Sequence, residues 1–391
     1  MLAVIDTYQH ELNDDGNKDI ICECLRGFRN ATAGCEINQT LFTPHLPALL
    51  SDDMFNDDQY KNIYLQFLAN CSTNHVDNIQ IVWQHIKPKF NYIVQHENPK
   101  VINTSCMILY NYLKLNEFSY EEWTEALSDI VNAFLKDSEF ALFCLELCVD
   151  NSILFDKIFT QFRNCNMVLL DVISQTKSNV SLEIIKIIAN HFKKTSEALL
   201  NCKMDLITEV CSIELVKFVQ ILGKYSSLDD IRPHLQEDKD FFIQTLYLLR
   251  FTHSAGKCQD SDVSIIDKLS EIEKVQQGTS SLIHESSFGF KRELVRLLGN
   301  LVHSHKVNQD LVRTHDGLPI LLECTNMDAR NPFITQWAIL ALRNLCMGNK
   351  ENQSIISQMT LKDGPVNLES LTISLNENDG SAEVEYKTSS D

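Results

Sequence analysis

Few residues in this 391-residue chain stand at spacings that do chemistry on a substrate. Cys22 and Cys24 are two positions apart, as are His303 and His305. On a helix such residues point to different sides, so neither pair can chelate a metal without breaking the helix. The chain has no G-x-S-x-G elbow, no P-loop and no G-x-G-x-x-G, and Gly289-Phe290-Lys291 leads into a helix without the glycines that cradle phosphate. The adjacent acids Glu121-Glu122 and Asp229-Asp230 stand at helix starts, where carboxylates suit the helix dipole. Lys193-Lys194 and Lys291-Arg292 are too short to be nucleic-acid patches. These patterns predict no catalytic residues, no metal and no cofactor, hence a protein that is not an enzyme.

Asparagine is the residue that recurs with regular spacing. Asn30, Asn70, Asn300 and Asn344 each close an apolar run, and a second Asn follows eight residues later, at Asn38-Gln39, Asn78, Asn308-Gln309 and Asn352-Gln353. An amide donates and accepts at once, so a row of them can pair with an extended peptide in a groove. Arg26 and Arg296 would lie one turn earlier on the same side. The same amides can instead tie each helix end to its following turn. Both roles fit the spacing.

The elements that must carry this row are helices. Asn30 and Asn70 are 40 residues apart and Asn300 and Asn344 are 44 apart, the period of armadillo and HEAT arrays. One unit reads as a helix ending near the Asn, a sharp turn, a short helix with Asn-Gln, then a helix opened by Pro47, Pro88 or Pro319. Leu294, Leu297, Leu298, Leu301 and Val302 recur at one helical face, as do Trp337, Ala338, Ala341, Leu342 and Leu345. Such faces are buried only when repeats stack. Trp83, Trp123 and Trp337 are expected to pack between repeats. The expected fold is all-α, a right-handed α-solenoid of armadillo-like helical repeats.

Boundaries follow from where the signature sharpens and fades. Residues 1–103 carry N-terminal repeats, 104–255 degenerate ones, 290–359 the best-preserved pair. Helices are expected at Phe140–Phe159, Val180–Leu200, with an Ala-Asn ending at Asn190, and Asp240–Phe251. Residues 256–289 turn polar, with too little apolar area to offset ordering, and read as a surface insertion or disordered loop. Residues 360–391 read as a flexible acidic tail.

With 53 acidic and 34 basic residues, the formal charge of −19 opposes a general nucleic-acid or anionic-membrane surface. There is no run of 18 apolar residues and no secretory signal at Met1, so a soluble chain is expected. The 13 cysteines are odd in number and irregular in spacing; most, including Cys71, Cys106, Cys144, Cys148, Cys211 and Cys346, lie in apolar helical runs as reduced thiols. The Asn-x-Ser/Thr matches at Asn30, Asn70 and Asn103 are then incidental.

The run FGFKRELVRLLGNLVHSHKVNQDLV, followed by DGLPILLECTNMDARNPFITQWAILALRNLCMGNKENQSII, resembles the C-terminal conserved domain of the ataxin-10 family. CECLRGFRNATAGCEINQ is similar to that family's first recognisable repeat, and Asn331-Pro332-Phe333 leading into Trp337-Ala338-Ile339 is a linkage that generic armadillo repeats lack. The chain begins almost at that first repeat, so an N-terminal helical region of longer members would be shortened or missing. The resemblance implies a non-enzymatic scaffold or adaptor, cytoplasmic, perinuclear or associated with centrosome and cilium. Implied roles are in cell division and cytokinesis, neuron survival and neurite outgrowth, and cilium-linked complexes. Implied partners are G-protein β subunits, the O-GlcNAc transferase and mitotic kinases, with self-association left open. The alternative is a transport adaptor reading basic peptides through an acidic groove. Nuclear-import receptors place Trp four residues before the groove Asn, where this chain has Arg26, Gln66, Arg296 and Leu340.

Overall fold

The computed structural model describes residues 7–8, 18–55, 57–115, 120–175, 180–201, 209–257, 263–359, 371–375 and 382–386. They fall into two compact units, Met1–Tyr225 and Ser226–Asp391.

The first unit begins with α1 (Lys18–Thr32), α2 (Glu36–Phe42), α3 (Leu46–Leu49), α4 (Asp58–Ser72), α5 (Val76–Ile86), α6 (Phe90–Val94) and α7 (Pro99–Leu115). It continues with α8 (Tyr120–Phe134), α9 (Glu139–Asp150), α10 (Ser152–Gln161), α11 (Arg163–Gln175), α12 (Leu182–Leu200) and α13 (Glu209–Tyr225). Helices α1, α4, α7, α9, α11 and α13 pack each on the next, forming one continuous layer, and the intervening helices cover it. This is an armadillo-like helical stack, and it persists through the middle of the unit where the Asn signature fades. The stack is held by fully buried apolar residues such as Phe28, Phe42, Phe67, Ile108, Phe159 and Phe218. Asn190 does not end its helix: α12 runs through it to Leu200 and leaves it exposed.

The second unit has α14 (Arg232–Gln236), α15 (Lys239–Ala255), α16 (Leu269–Gln276), α17 (Phe290–Leu301), α18 (Lys306–Thr314), α19 (Gly317–Glu323), α20 (Ile334–Cys346) and α21 (Lys350–Gln358). Here α15 packs on α17 and α17 on α20. Leu294, Leu297, Leu298, Leu301 and Val302 are all fully buried, as their spacing predicts. On α20 the buried apolar set is Ile334, Ala338, Ala341 and Leu345; Trp337 and Leu342, which share the same apolar pattern, are only partly buried. Gly299 lets α17 and α20 approach closely, since a Cβ there would lie 3.2 Å from that of Ala341.

The turns that follow the four repeat Asn residues obey one rule. The residue four positions beyond each repeat Asn has a left-handed backbone: Gly34 (φ 63°), Asn74 (56°), Ser304 (53°) and Gly348 (68°). Gly meets this conformation without strain and Asn tolerates it. In three of the four the side chain of the next residue caps the following helix; Cys35 makes no such bond. His75 and His305 accept through Nδ1 from the amides of Asn78 and Asn308 (both 3.3 Å), and Asn349 accepts from the Asn352 amide at 3.2 Å. His305 is therefore a helix cap, which explains its place two residues from His303 without a metal. Pro47 and Pro319 sit in the first turns of α3 and α19, and Pro88 opens a short 3-10 turn.

The polar stretch 256–289 is more ordered than its composition predicts, although residues 258–262 lie outside the described part. It contains α16 and is pinned through Asp328, Ala329 and Arg330. The Ala329 amide donates to the Ile266 carbonyl at 2.6 Å, Asp328 accepts from the Ile266 amide at 3.2 Å, and Arg330 Nε donates to the Ser264 carbonyl at 3.0 Å. Arg330 also pairs with Glu285, and its carbonyl accepts from the Gly289 amide at 2.9 Å. Polar anchors replace the apolar area that the segment lacks. Of the tail, the described residues form an antiparallel ribbon, β1 (Leu371–Leu375) with β2 (Ala382–Tyr386), Leu371 facing Tyr386. The remainder of the tail, and its expected flexibility, lie outside the described residues.

Candidate functional site

The Asn-Gln pairs are the links between successive repeats. Asn38 and Gln39 donate back seven residues, to the Ala31 and Thr32 carbonyls at the end of α1, at 2.7 and 3.2 Å. Gln39 also reaches forward to the Asn70 carbonyl at 2.8 Å and that of Thr73 at 3.3 Å, past the end of α4. The pattern repeats in the second unit. Asn308 donates to the Leu301 carbonyl at 3.0 Å, and Gln309 to those of Val302 (3.2 Å), Asn344 (2.9 Å) and Met347 (3.4 Å). These contacts satisfy carbonyls that a helix end leaves without partners. Gln353 donates only backward, to the Cys346 carbonyl at 2.8 Å, among the contacts of the described residues.

Of the six residues the sequence nominates for a groove, Arg26, Asn30 and Asn70 lie in the first unit and Arg296, Asn300 and Asn344 in the second. Asn30 is exposed and accepts from Arg29 Nε and Nη2 at 3.0 and 2.9 Å. Arg26 is exposed and pairs with Glu23. The Asn70 amide donates to the Arg29 carbonyl at 3.1 Å, 41 residues earlier in sequence. Asn300 donates to the Ser226 hydroxyl at 3.0 Å. Asn344 is buried; it donates to the Gly299 carbonyl at 3.0 Å, and its oxygen lies 3.4 Å from His303 Nδ1. The Asn70 and Asn344 side chains thus each join one long helix to its predecessor, while Asn300 ties α17 to the turn at Ser226.

Two members of this network escape the sequence reading. Asn111 donates to the Thr73 hydroxyl at 3.2 Å and stands 41 residues after Asn70, a spacing that identifies it in retrospect. Gln236 donates to the Leu301 and His303 carbonyls at 3.1 and 2.8 Å, as Gln39 and Gln309 do one repeat on. It has no preceding Asn, and the 256–289 insertion disrupts the period around it, so spacing gives no signal.

The accessible chemistry of the second unit gathers around Arg296. Arg292 and Arg296 both turn to Glu293, whose side chain is nearly buried: Arg292 Nη2 lies 2.8 Å and Arg296 Nη1 3.4 Å from its oxygens. The Arg296 guanidinium sits over the Trp337 ring, 5.0 Å from the centroid, and its buried Nε has no hydrogen-bond partner. Trp337 is therefore no simple core residue, and this face does carry an aromatic, one that holds an arginine of its own chain. One turn before Trp337, Phe333 is 69% exposed with a left-handed backbone, φ 66°.

No group of three or more His, Cys, Asp or Glu suited to a metal occurs among the described residues. Burial pushes the Cys71, Cys106 and Cys148 thiols up to about 12 and that of Cys324 to about 11, which keeps them protonated and poorly nucleophilic at neutral pH. Cys211 lies where side chains are not described. No described helix is long and apolar enough to cross a membrane.

Residues 290–385 match the family model described as the spinocerebellar ataxia type 10 protein domain. The chain is 29% identical over 388 residues to ataxin-10 of Homo sapiens, covering 92% of this chain and 79% of that protein. It is 28% identical over 370 residues to ataxin-10 of Bos taurus, covering 87% and 76%. With the ataxin-10 homolog of Dictyostelium discoideum it shares 41% over 86 residues, 22% of this chain and 14% of that protein.

Proposed function

Because this chain belongs to the ataxin-10 family, we propose that it is a non-enzymatic scaffold that captures protein partners on the inner faces of its stacked helices. The observation that carries this reading is the Arg296–Trp337 pair, which stays accessible on a face where the Asn and Gln amides are committed to joining repeats. The roles that the family implies, in cell division and cytokinesis, neuron survival and neurite outgrowth, and cilium-linked complexes, are consistent with a protein that assembles others. So are the partner classes named above and a cytoplasmic or centrosomal setting.

Affinity purification of the intact chain beside the Arg296→Ala/Asn300→Ala double variant tests this reading. A folded double variant that loses partners supports it. Identical partner sets from both proteins would sink it, and unfolding of the double variant would mark Asn300 as a structural tie alone. Recognition of lysine-rich peptides is opposed by Arg26 and Arg29 in the first unit and Arg292 and Arg296 in the second. It would be supported only by salt-sensitive binding of such a peptide.

A further inference from the structure

We infer that the face of α17 and α20 around Arg296 docks an acidic peptide segment that also carries an aromatic or apolar side chain. This rests on the scaffold reading and supplies the chemistry of its partner. Arg292 and Arg296 share one carboxylate, that of Glu293, so the cluster holds two positive charges against one negative. In a chain of formal charge −19, a basic spot is not a by-product of composition. It is a local address for an anionic segment that the rest of the surface repels.

Geometry prepares that address. Arg296 is stacked on Trp337 with its side chain a quarter exposed, so the guanidinium is oriented and partly dehydrated before any partner arrives. A planar fork held in this way suits a carboxylate or phosphate. Beside it, apolar side chains line the start of α20: Phe333 at its N-cap, then Trp337, whose amide donates to the Phe333 carbonyl at 3.3 Å, then partly buried Leu340. Trp337 and Leu340 are three residues apart on one side of the helix, and Phe333 stands one turn before Trp337.

Phe333 is the most telling member. A bulky side chain avoids φ 66°, and at 69% exposure it gains little burial in return. Its backbone is fixed from both sides. Asn331 accepts from the Arg292 amide at 3.1 Å and donates to Asp328 at 2.8 Å, while the Ile334 amide closes onto the Asn331 carbonyl at 3.1 Å. Strain of this kind collects at binding sites, where the surroundings hold a residue for a purpose other than stability.

Short fluorescein-labelled peptides test the inference by anisotropy against the full chain. One is rich in Asp and Glu with a single Phe; the others replace its acids by phosphoserine, by Asn and Gln, or by Lys. The expected result is binding of the acidic and phosphoserine peptides, weakening as salt rises, with affinity lowered about tenfold by Arg296→Gln and by Phe333→Asn. Since Asn tolerates a positive φ, Phe333→Asn should melt at the same temperature or higher, which separates lost binding from lost folding. Equal binding of the neutral peptide would overturn the acidic assignment and leave the scaffold reading standing. Failure of every peptide would also overturn it, and partner capture by the intact chain would then decide the scaffold reading separately.

Discussion

The side-chain amide of Gln309 lies 2.9 Å from the carbonyl of Asn344, and through this bond the short helix α18 holds the end of the next long helix, α20. The same Gln reaches back to Val302 at 3.2 Å, so one buried side chain serves two helix ends.

Replacing Gln309 by Ala leaves buried carbonyls without a donor and opens a void, at a cost of about 1–3 kcal/mol. Gln353→Ala, at an exposed position with a single carbonyl contact, should cost about 0.5 kcal/mol or less. Urea unfolding of the two variants compares them directly. Equal losses would mean that the forward contacts contribute nothing.

Leu297 is fully buried within the second unit. Leu297→Ala should destabilise by about 2–5 kcal/mol through lost burial and a residual cavity. An unchanged denaturation midpoint would show that α17 buries a different face.

Arg330 fastens the 263–289 stretch through the Ser264 carbonyl, the Ser287 hydroxyl at 3.1 Å and Glu285. Arg330→Ala should raise amide exchange and protease cleavage in 263–289 before it affects α20. Protection that persists there would assign the anchoring to Asp328 and Ala329 instead.

His253 is buried beside Glu323, with its Nε2 3.0 Å from the carboxylate, and Lys257 pairs with the same group at 2.7 Å. Burial, with Lys291 and Lys257 nearby, holds its pKa below the ordinary 6.5, against the opposing pull of Glu323. The unfolded chain therefore binds this proton more readily. The contribution to stability is present above pH 6.5 and is lost as pH falls through the depressed folded value. His253→Gln should flatten the decline in unfolding free energy between about pH 7 and pH 5. An equally steep decline would place the effect on other groups, among them His85 and His191, which burial also depresses.

The helices and the buried face of α17 were legible because Leu294, Leu297, Leu298 and Leu301 follow the helical period without interruption. Trp337 does lie between repeats, against Arg296 of α17, but its partial exposure is not legible, because periodicity finds an apolar stripe and not which of its ends another helix covers. The order of 263–289 is not legible in the sequence because its anchors are main-chain groups, the Asp328 carboxylate and one arginine, none of which makes an apolar pattern. The two roles open to the Asn row could not be separated by spacing, since a tie and a groove contact need the same residue at the same place. Bonds to the preceding long helix account for the amides of Asn70 and Asn344, and the Ser226 contact for that of Asn300, while the groove role rests on the proposal around Arg296.

The amides of Asn38, Gln39, Asn308 and Gln309 all find main-chain carbonyls, and a carbonyl is present whatever the side chain beside it. A duplicated repeat would carry its own donors into a neighbour that already supplies the acceptors. Such an array can lengthen by copying, or let its middle copies diverge, without two positions having to change together.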